Sequence, residues 1–248
     1  MMIGIIAFRE ILSLFISPLA WASLAVVQLI LAYIFLARLD LFIEFQPRLM
    51  GMDGAPGLTD IVVAPLFVSA GVVLLMVAPL LSMRVLSEER RNGTLTLLYS
   101  APLSVSEIVL GKYLGLVGFF LALTAMITLM PLSLLIGASL DLGQLGAGLL
   151  GLILLLAAFA AIGLFLSSLT AHPTVAGISS FGVLLLLWII EWAGKSEGMS
   201  GLFSYLSLFS HYQALSKGIF NSTDVIYYLV LTGLFLGLTL WRLDTERL

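Results

Sequence analysis

The chain has 248 residues, 61% of them hydrophobic and 10% charged, with a formal net charge of −3 and no cysteine. A soluble domain carries about 45–50% apolar and about 25% charged residues, so a mean hydropathy of +1.17 excludes a water-soluble globule and indicates a polytopic membrane protein. The charge is too small to hold a polyanion such as nucleic acid, and the missing cysteines exclude disulfides, thiolate metal sites and thiol catalysis.

Residues 3–17 (IGIIAFREILSLFIS) are apolar but interrupted by Arg9-Glu10, and Pro18 restarts the chain. This stretch is too short to span comfortably and reads as an interfacial helix with Arg9 and Glu10 facing water. No Lys or Arg precedes Ile3, and no small-residue cleavage site follows, so the N-terminus is expected to be retained. The first span covers 18–37, ending at Arg38 and Asp40; the following glycines and Pro56 predict an external loop. The second span, 60–83, contains Pro65 and Pro79, which a membrane helix tolerates at the cost of a bend.

A charged stretch, 84–107, then carries a short amphipathic helix flanked by Asn92-Gly93 and Ala101-Pro102. The third span, 108–137, follows a capping box in which Ser104 and Glu107 stand three residues apart. Spans four to six cover 144–169, 174–192 and 223–241, with His172-Pro173 as a break and 194–222 as an external interfacial segment. The expected fold is all-α: a single membrane domain over 1–248, with six spans and both termini on one side.

Grouping the cations by side gives seven on the face that carries the termini (Arg9, Arg84, Arg90, Arg91, Lys112, Arg242, Arg247) and four on the other (Arg38, Arg48, Lys195, Lys217). The positive-inside rule puts the seven, and both termini, in the cytoplasm.

The patterns of several chemistries are missing. Gly111-Lys112-Tyr113 lacks both the upstream glycine and the downstream hydroxyl of a phosphate-binding loop, so Lys112 reads as a lysine at the membrane edge. There is no His-Glu-x-x-His pair, and His172 and His211 fall on opposite sides, where they cannot share a metal. No ionisable residue lies well inside a span, and Glu191 sits near an outer end, which argues against proton or sodium coupling. Gly111-x-x-x-Gly115 and Gly233-x-x-x-Gly237 are candidate helix-packing faces. Thr124, Thr128, Ser167, Ser168, Ser179 and Ser180 are expected to bond their own backbone or a neighbouring helix rather than a substrate. Asn221-Ser222-Thr223 matches a glycosylation acceptor but reads as an ordinary loop.

The densest stretch, residues 84–113, holds seven charges: Arg84, Glu88, Glu89, Arg90, Arg91, Glu107 and Lys112. Its segment EERRNGTLTLLYSAPLSVSEIVLGK resembles the signature loop of the type-2 ABC transporter permease family, on Glu88 to Arg91, Gly93 to Leu95, Ser100 to Leu103 and Gly111-Lys112. Phe8 to Trp21 is similar to the family's N-terminal elbow helix, and Leu208 to Leu229 to a stretch of its gliding-motility-type branch.

The resemblance implies a non-catalytic permease subunit of an ATP-driven exporter in a bacterial inner membrane. Two copies of a cytoplasmic ATPase would carry the ATP and Mg, leaving this chain without a cofactor. A second permease subunit, identical or related, would complete the membrane part, with lipid and an auxiliary or periplasmic protein as further partners. The coupling element carried over comprises Glu88, Glu89, Arg90, Arg91, Gly93, Thr94, Leu95, Leu97, Leu98 and Tyr99, with the leucines as apolar anchors and the charges as a rim. The alternative is a membrane scaffold whose ATPase does mechanical or assembly work with no cargo. The residues suggest only that an apolar pathway suits a lipid-like or polypeptide cargo better than a small ion.

Overall fold

The computed structural model describes residues 2–49, 57–95, 103–138, 140–194 and 206–247. All regular structure among them is helical, and six helices are long and apolar enough to cross a membrane. The protein is a multi-pass membrane protein.

Helix α1 (Met2–Ile16) meets α2 (Pro18–Leu49) at Ser17, where the chain turns a corner. Trp21 Nε1 donates to the Phe15 carbonyl at 2.6 Å across that corner and fixes its angle. Along α2 the residues Ala20, Leu24, Val27, Leu31 and Phe35 are buried, recurring at helical spacing. Leu29 and Tyr33, more than 70% exposed, point outward. The helix does not end at 37 as the charges suggest: it runs on through Arg38 and Asp40 to Leu49. Polar residues mark a bilayer boundary but do not break a helix. Pro47, near its end, removes a single donor.

The second span begins with a π turn, Thr59–Val63, continued by α3 (Ala64–Ser82). Pro65, just beyond that turn, has no N–H to donate, and the Ala64 N–H reaches back to the Thr59 carbonyl. After a break at Met83, α4 (Arg84–Arg91) continues in place of an irregular loop, closed by Asn92 and by Gly93 at φ +69°. A left-handed residue just past a helix is the usual place for glycine. Thr94 and Leu95 are again helical, and the rest of the short helix expected before Ala101-Pro102 lies outside the described residues.

Helix α5 (Val105–Ser133) starts on the predicted capping box: Ser104 Oγ accepts from the Glu107 N–H, and Glu107 Oε2 accepts from the Ser104 N–H. Helix α6 (Leu142–Leu169) is capped by Asp141, followed by α7 (Pro173–Gly194), α8 (Leu208–Ser216) and α9 (Ser222–Arg247). The hub is α6, which touches α3, α4, α5, α7, α8 and α9. Its run of Ala158, Ala160, Ala161 and Gly163, all buried, lets neighbours approach closely on every side. Sixty-one per cent of its apolar window is buried, against 17% for α7 and for α9, which leave most of their surface facing outward.

Helix α8 departs from expectation. Rather than lying flat at the interface, it is plugged into the end of the bundle opposite the termini, burying Leu208, His211, Tyr212 and Leu215. Tyr212 Oη donates to the Phe67 carbonyl at 2.5 Å, and its ring lies over Gly71, where a Cβ would come within 2.7 Å of it. Burial holds the Tyr212 phenol above its ordinary range, so it stays a donor. Beside it, His211 Nδ1 stands 2.6 Å from Asp224 Oδ1, and the imidazole stacks on Tyr227. His211, in the segment expected to be interfacial, is thus buried and paired.

Candidate functional site

Both termini and α4 lie at one end of the bundle, and a charged network joins them. Its centre is Lys112, about two turns into α5 and only 2% exposed. Its Nζ donates to the Val85 carbonyl at 2.9 Å and lies 2.8 Å from Glu89 Oε1 and 3.2 Å from Glu10 Oε2. One ammonium therefore ties α1, α4 and α5 together, and its three donors are all used. A buried ammonium is tolerated only when paired and hydrogen-bonded in this way.

The sequence reading had Lys112 as an edge residue and Glu10 facing water. Lys112 does lie at that edge, though buried and paired, while Glu10 is corrected: it is turned inward and its neighbour Arg9 stays exposed, 3.8 Å from Glu89.

The α1–α5 contact that makes this possible is set by glycine. A Cβ on Gly111 would fall 2.6 Å from Ile6 Cβ, and one on Gly115 would fall 2.5 Å from Glu10 Cβ. The Gly111-x-x-x-Gly115 face is thus an intramolecular seat for α1. Gly233 and Gly237 have open space at both positions.

A second tie is a hydroxyl. Ser167, near the end of α6, accepts from the Leu86 and Ser87 N–H groups at 3.1 and 3.0 Å and donates to the Met83 carbonyl at 3.0 Å. It caps, from another helix, the first turn of α4, whose own N-cap residue Met83 has no side-chain oxygen. The other five hydroxyls behave as expected: Thr124, Thr128, Ser168, Ser179 and Ser180 each donate to a carbonyl three or four residues back. Ser167 takes the other expected course, a neighbouring helix, but which helix was not legible because its Ser87 partner lies 80 residues away.

A third tie is Arg90, which makes two hydrogen bonds to Glu246 of α9, at 3.1 and 2.5 Å, with Arg242 at 2.8 Å completing the group. The ten residues carried over from the family loop therefore divide. Glu89 and Arg90 are committed to partners within the chain. Leu95 is 6% exposed and packs into the core. Glu88 and Arg91 make no ion pair among the described residues, and Arg91, Gly93 and Thr94 are exposed. Thr94 Oγ1 donates to the Glu89 carbonyl. Leu97, Leu98 and Tyr99 lie outside the described residues.

Two clefts flank α4. One of about 340 Å³ opens between it and α1 and includes Arg9, Arg84 and Glu88. The other, about 260 Å³, brings Arg84, Glu88 and Arg91 beside His172 and Pro173 at the start of α7. His172 and His211 are at opposite ends, and no cluster of metal-ligating side chains occurs among the described residues.

The family model described as ABC-2 family transporter protein matches residues 50–248. No curated protein matches the chain at a significant level.

Proposed function

Since the chain belongs to the ABC-2 family of transporter proteins, a membrane subunit of an ABC transporter, we propose that it is the permease of an ATP-driven exporter whose ATPase docks at the end carrying both termini. One observation carries this reading. Helix α4 continues the second span beyond its apolar part and is bonded to α5, α6 and α9 at once, through Glu89, Arg90 and the Ser167 cap, and to α1 through the shared Lys112 ammonium. A push on α4 reaches four other helices through short polar contacts. Such a joint moves helices as near-rigid bodies rather than bending one loop.

Glu88, Arg91 and the turn at Gly93 and Thr94 form the outward rim that an ATPase would grip. Hydrolysis belongs to that partner, which brings ATP and Mg. Seven cations assigned to the terminus-bearing end against four opposite support placing that end in the cytoplasm of a bacterial inner membrane. The outward apolar faces of α2, α7 and α9 suit a second permease subunit as well as lipid. Within the family, the resemblance of Leu208 to Leu229 supports the gliding-motility-type branch.

The test is co-expression with candidate ABC ATPase subunits from the same organism. Native mass spectrometry should give two permease and two ATPase chains, and vesicles should turn over ATP only with both present. A permease recovered alone, with no ATPase bound under mild solubilisation, would overturn the reading.

A further inference from the structure

At the end opposite the termini lies a groove of about 510 Å³, between the outer part of α2, the start of the second span and α8. Two cations stand at it, Arg38 on α2 and Lys217 at the C-cap of α8. Both are exposed, and neither side chain has an ion pair or hydrogen bond among the described residues. The groove also holds an acid, Asp60, which keeps its charge but has both carboxylate oxygens hydrogen-bonded within the chain, and the two cations outnumber it. Its Oδ1 accepts from Gln144 Nε2 at 2.9 Å and its Oδ2 from the Gly57 N–H at 3.2 Å. Beyond the charges the wall mixes the polar side chains of Ser69, Gln144, Gln213 and Ser216 with an apolar patch of Ala64, Pro65 and Val68 on the second span.

The volume is that of a small-ligand site, and its parts are mismatched for any single simple occupant. A free anion would satisfy the cations and leave Pro65 and Val68 wet. A lipid tail alone would leave two charges at the rim without counter-ions. A molecule with an anionic head and an apolar tail satisfies both. Arg38 offers a planar fork for phosphate oxygens, and Lys217 a mobile point charge.

We propose that this groove binds the phosphate head of a membrane amphiphile, with Arg38 and Lys217 on the head and Pro65 and Val68 against the first tail carbons. As a cargo assignment the proposal rests on the exporter reading, and names an anionic amphiphile at its point of exit. As a binding site it stands on the groove alone.

The experiment uses the full chain in nanodiscs and phosphatidylglycerol bearing a photoreactive group near the glycerol. Labelling should fall on the peptide containing Pro65 and Val68. It should drop about a hundredfold in R38Q/K217Q, about tenfold for each charge-assisted hydrogen bond lost. It should persist in the charge-keeping swap R38K/K217R, and in R84Q at the other end. Equal labelling by photoreactive phosphatidylcholine, or none lost in R38Q/K217Q, would mean surrounding lipid and overturn the proposal. Loss of labelling to millimolar inorganic phosphate would make this a free-anion site and overturn it too. Because the assay needs no ATPase, its failure beside normal ATP-driven export sinks only the groove. Labelling at the groove without ATP-dependent release of the lipid from vesicles keeps the site and overturns the cargo assignment, and the exporter reading falls only by its own test of ATPase association.

Discussion

Lys112 Nζ on α5 lies 2.8 Å from Glu89 Oε1 on α4, both side chains largely withdrawn from water. That contact fastens the charged extension of the second span to the foot of the third. Replacing Lys112 by Met should leave Glu89 and Glu10 as partly buried carboxylates without their cation, a loss of about 3–5 kcal/mol. Thermal unfolding in detergent measures it. The triple variant K112M/E10Q/E89Q should recover much of the loss, since the stranded charges are gone. If K112M unfolds at the wild-type temperature, the lysine is not the joint described.

Ser167→Ala removes the acceptor for two N–H groups at the start of α4 and should cost about 1–3 kcal/mol. The loss is local, so amide exchange at Leu86 and Ser87 should accelerate while the middle of α6 stays protected. Uniform exchange across the bundle would mean that the cap matters to the whole fold rather than to α4.

Docking and folding can be separated on α4. Reversing Glu88 and Arg91 (E88K/R91E) touches only residues without ion partners among the described residues, so insertion and unfolding temperature should hold while ATPase recovery in pull-downs falls. Glu89→Lys should behave differently, losing stability because it sets a lysine against Lys112. Unchanged ATPase recovery in E88K/R91E would mean that the partner grips elsewhere.

Gly115→Leu should dislodge α1, because even its Cβ would sit 2.5 Å from Glu10 Cβ. The six spans do not include α1, so the protein should still insert, with α1 newly open to protease. Gly233→Leu, with nothing within 4 Å, should leave the monomer fold unchanged. Equal protease resistance of wild type and G115L would contradict the seat described for α1.

Tyr212→Phe removes the bond to the Phe67 carbonyl and should cost about 0.5–1.5 kcal/mol, the net value of one hydrogen bond. Gly71→Ala should cost more, since its methyl group meets the tyrosine ring at 2.7 Å. Together the two distinguish a helix anchored in the bundle from one resting on lipid, which neither change would disturb.

The sequence by itself determined the six spans, the elbow at Ser17-Pro18 and the capping box at Ser104 and Glu107. These follow from hydropathy over twenty residues or from bonds between residues three apart, and both are local. It also read the six hydroxyls correctly as bonding protein backbone: five find the carbonyl one turn back without help from elsewhere, and only the choice of helix for Ser167 was left to packing. The tertiary structure alone decided what becomes of Lys112, Glu10, Ser167 and His211. Each is a polar group whose nearest residues in the chain offer no adequate partner. Each is buried only because a distant helix supplies one: Lys112 from α1 and α4, Ser167 from the α3–α4 joint, His211 from α9. The same holds for α8, whose composition suits an interface until Gly71 opens a place for Tyr212. Hydropathy reports the cost of putting a group in the membrane. Whether another helix offsets that cost depends on packing between segments tens of residues apart, which no local pattern encodes.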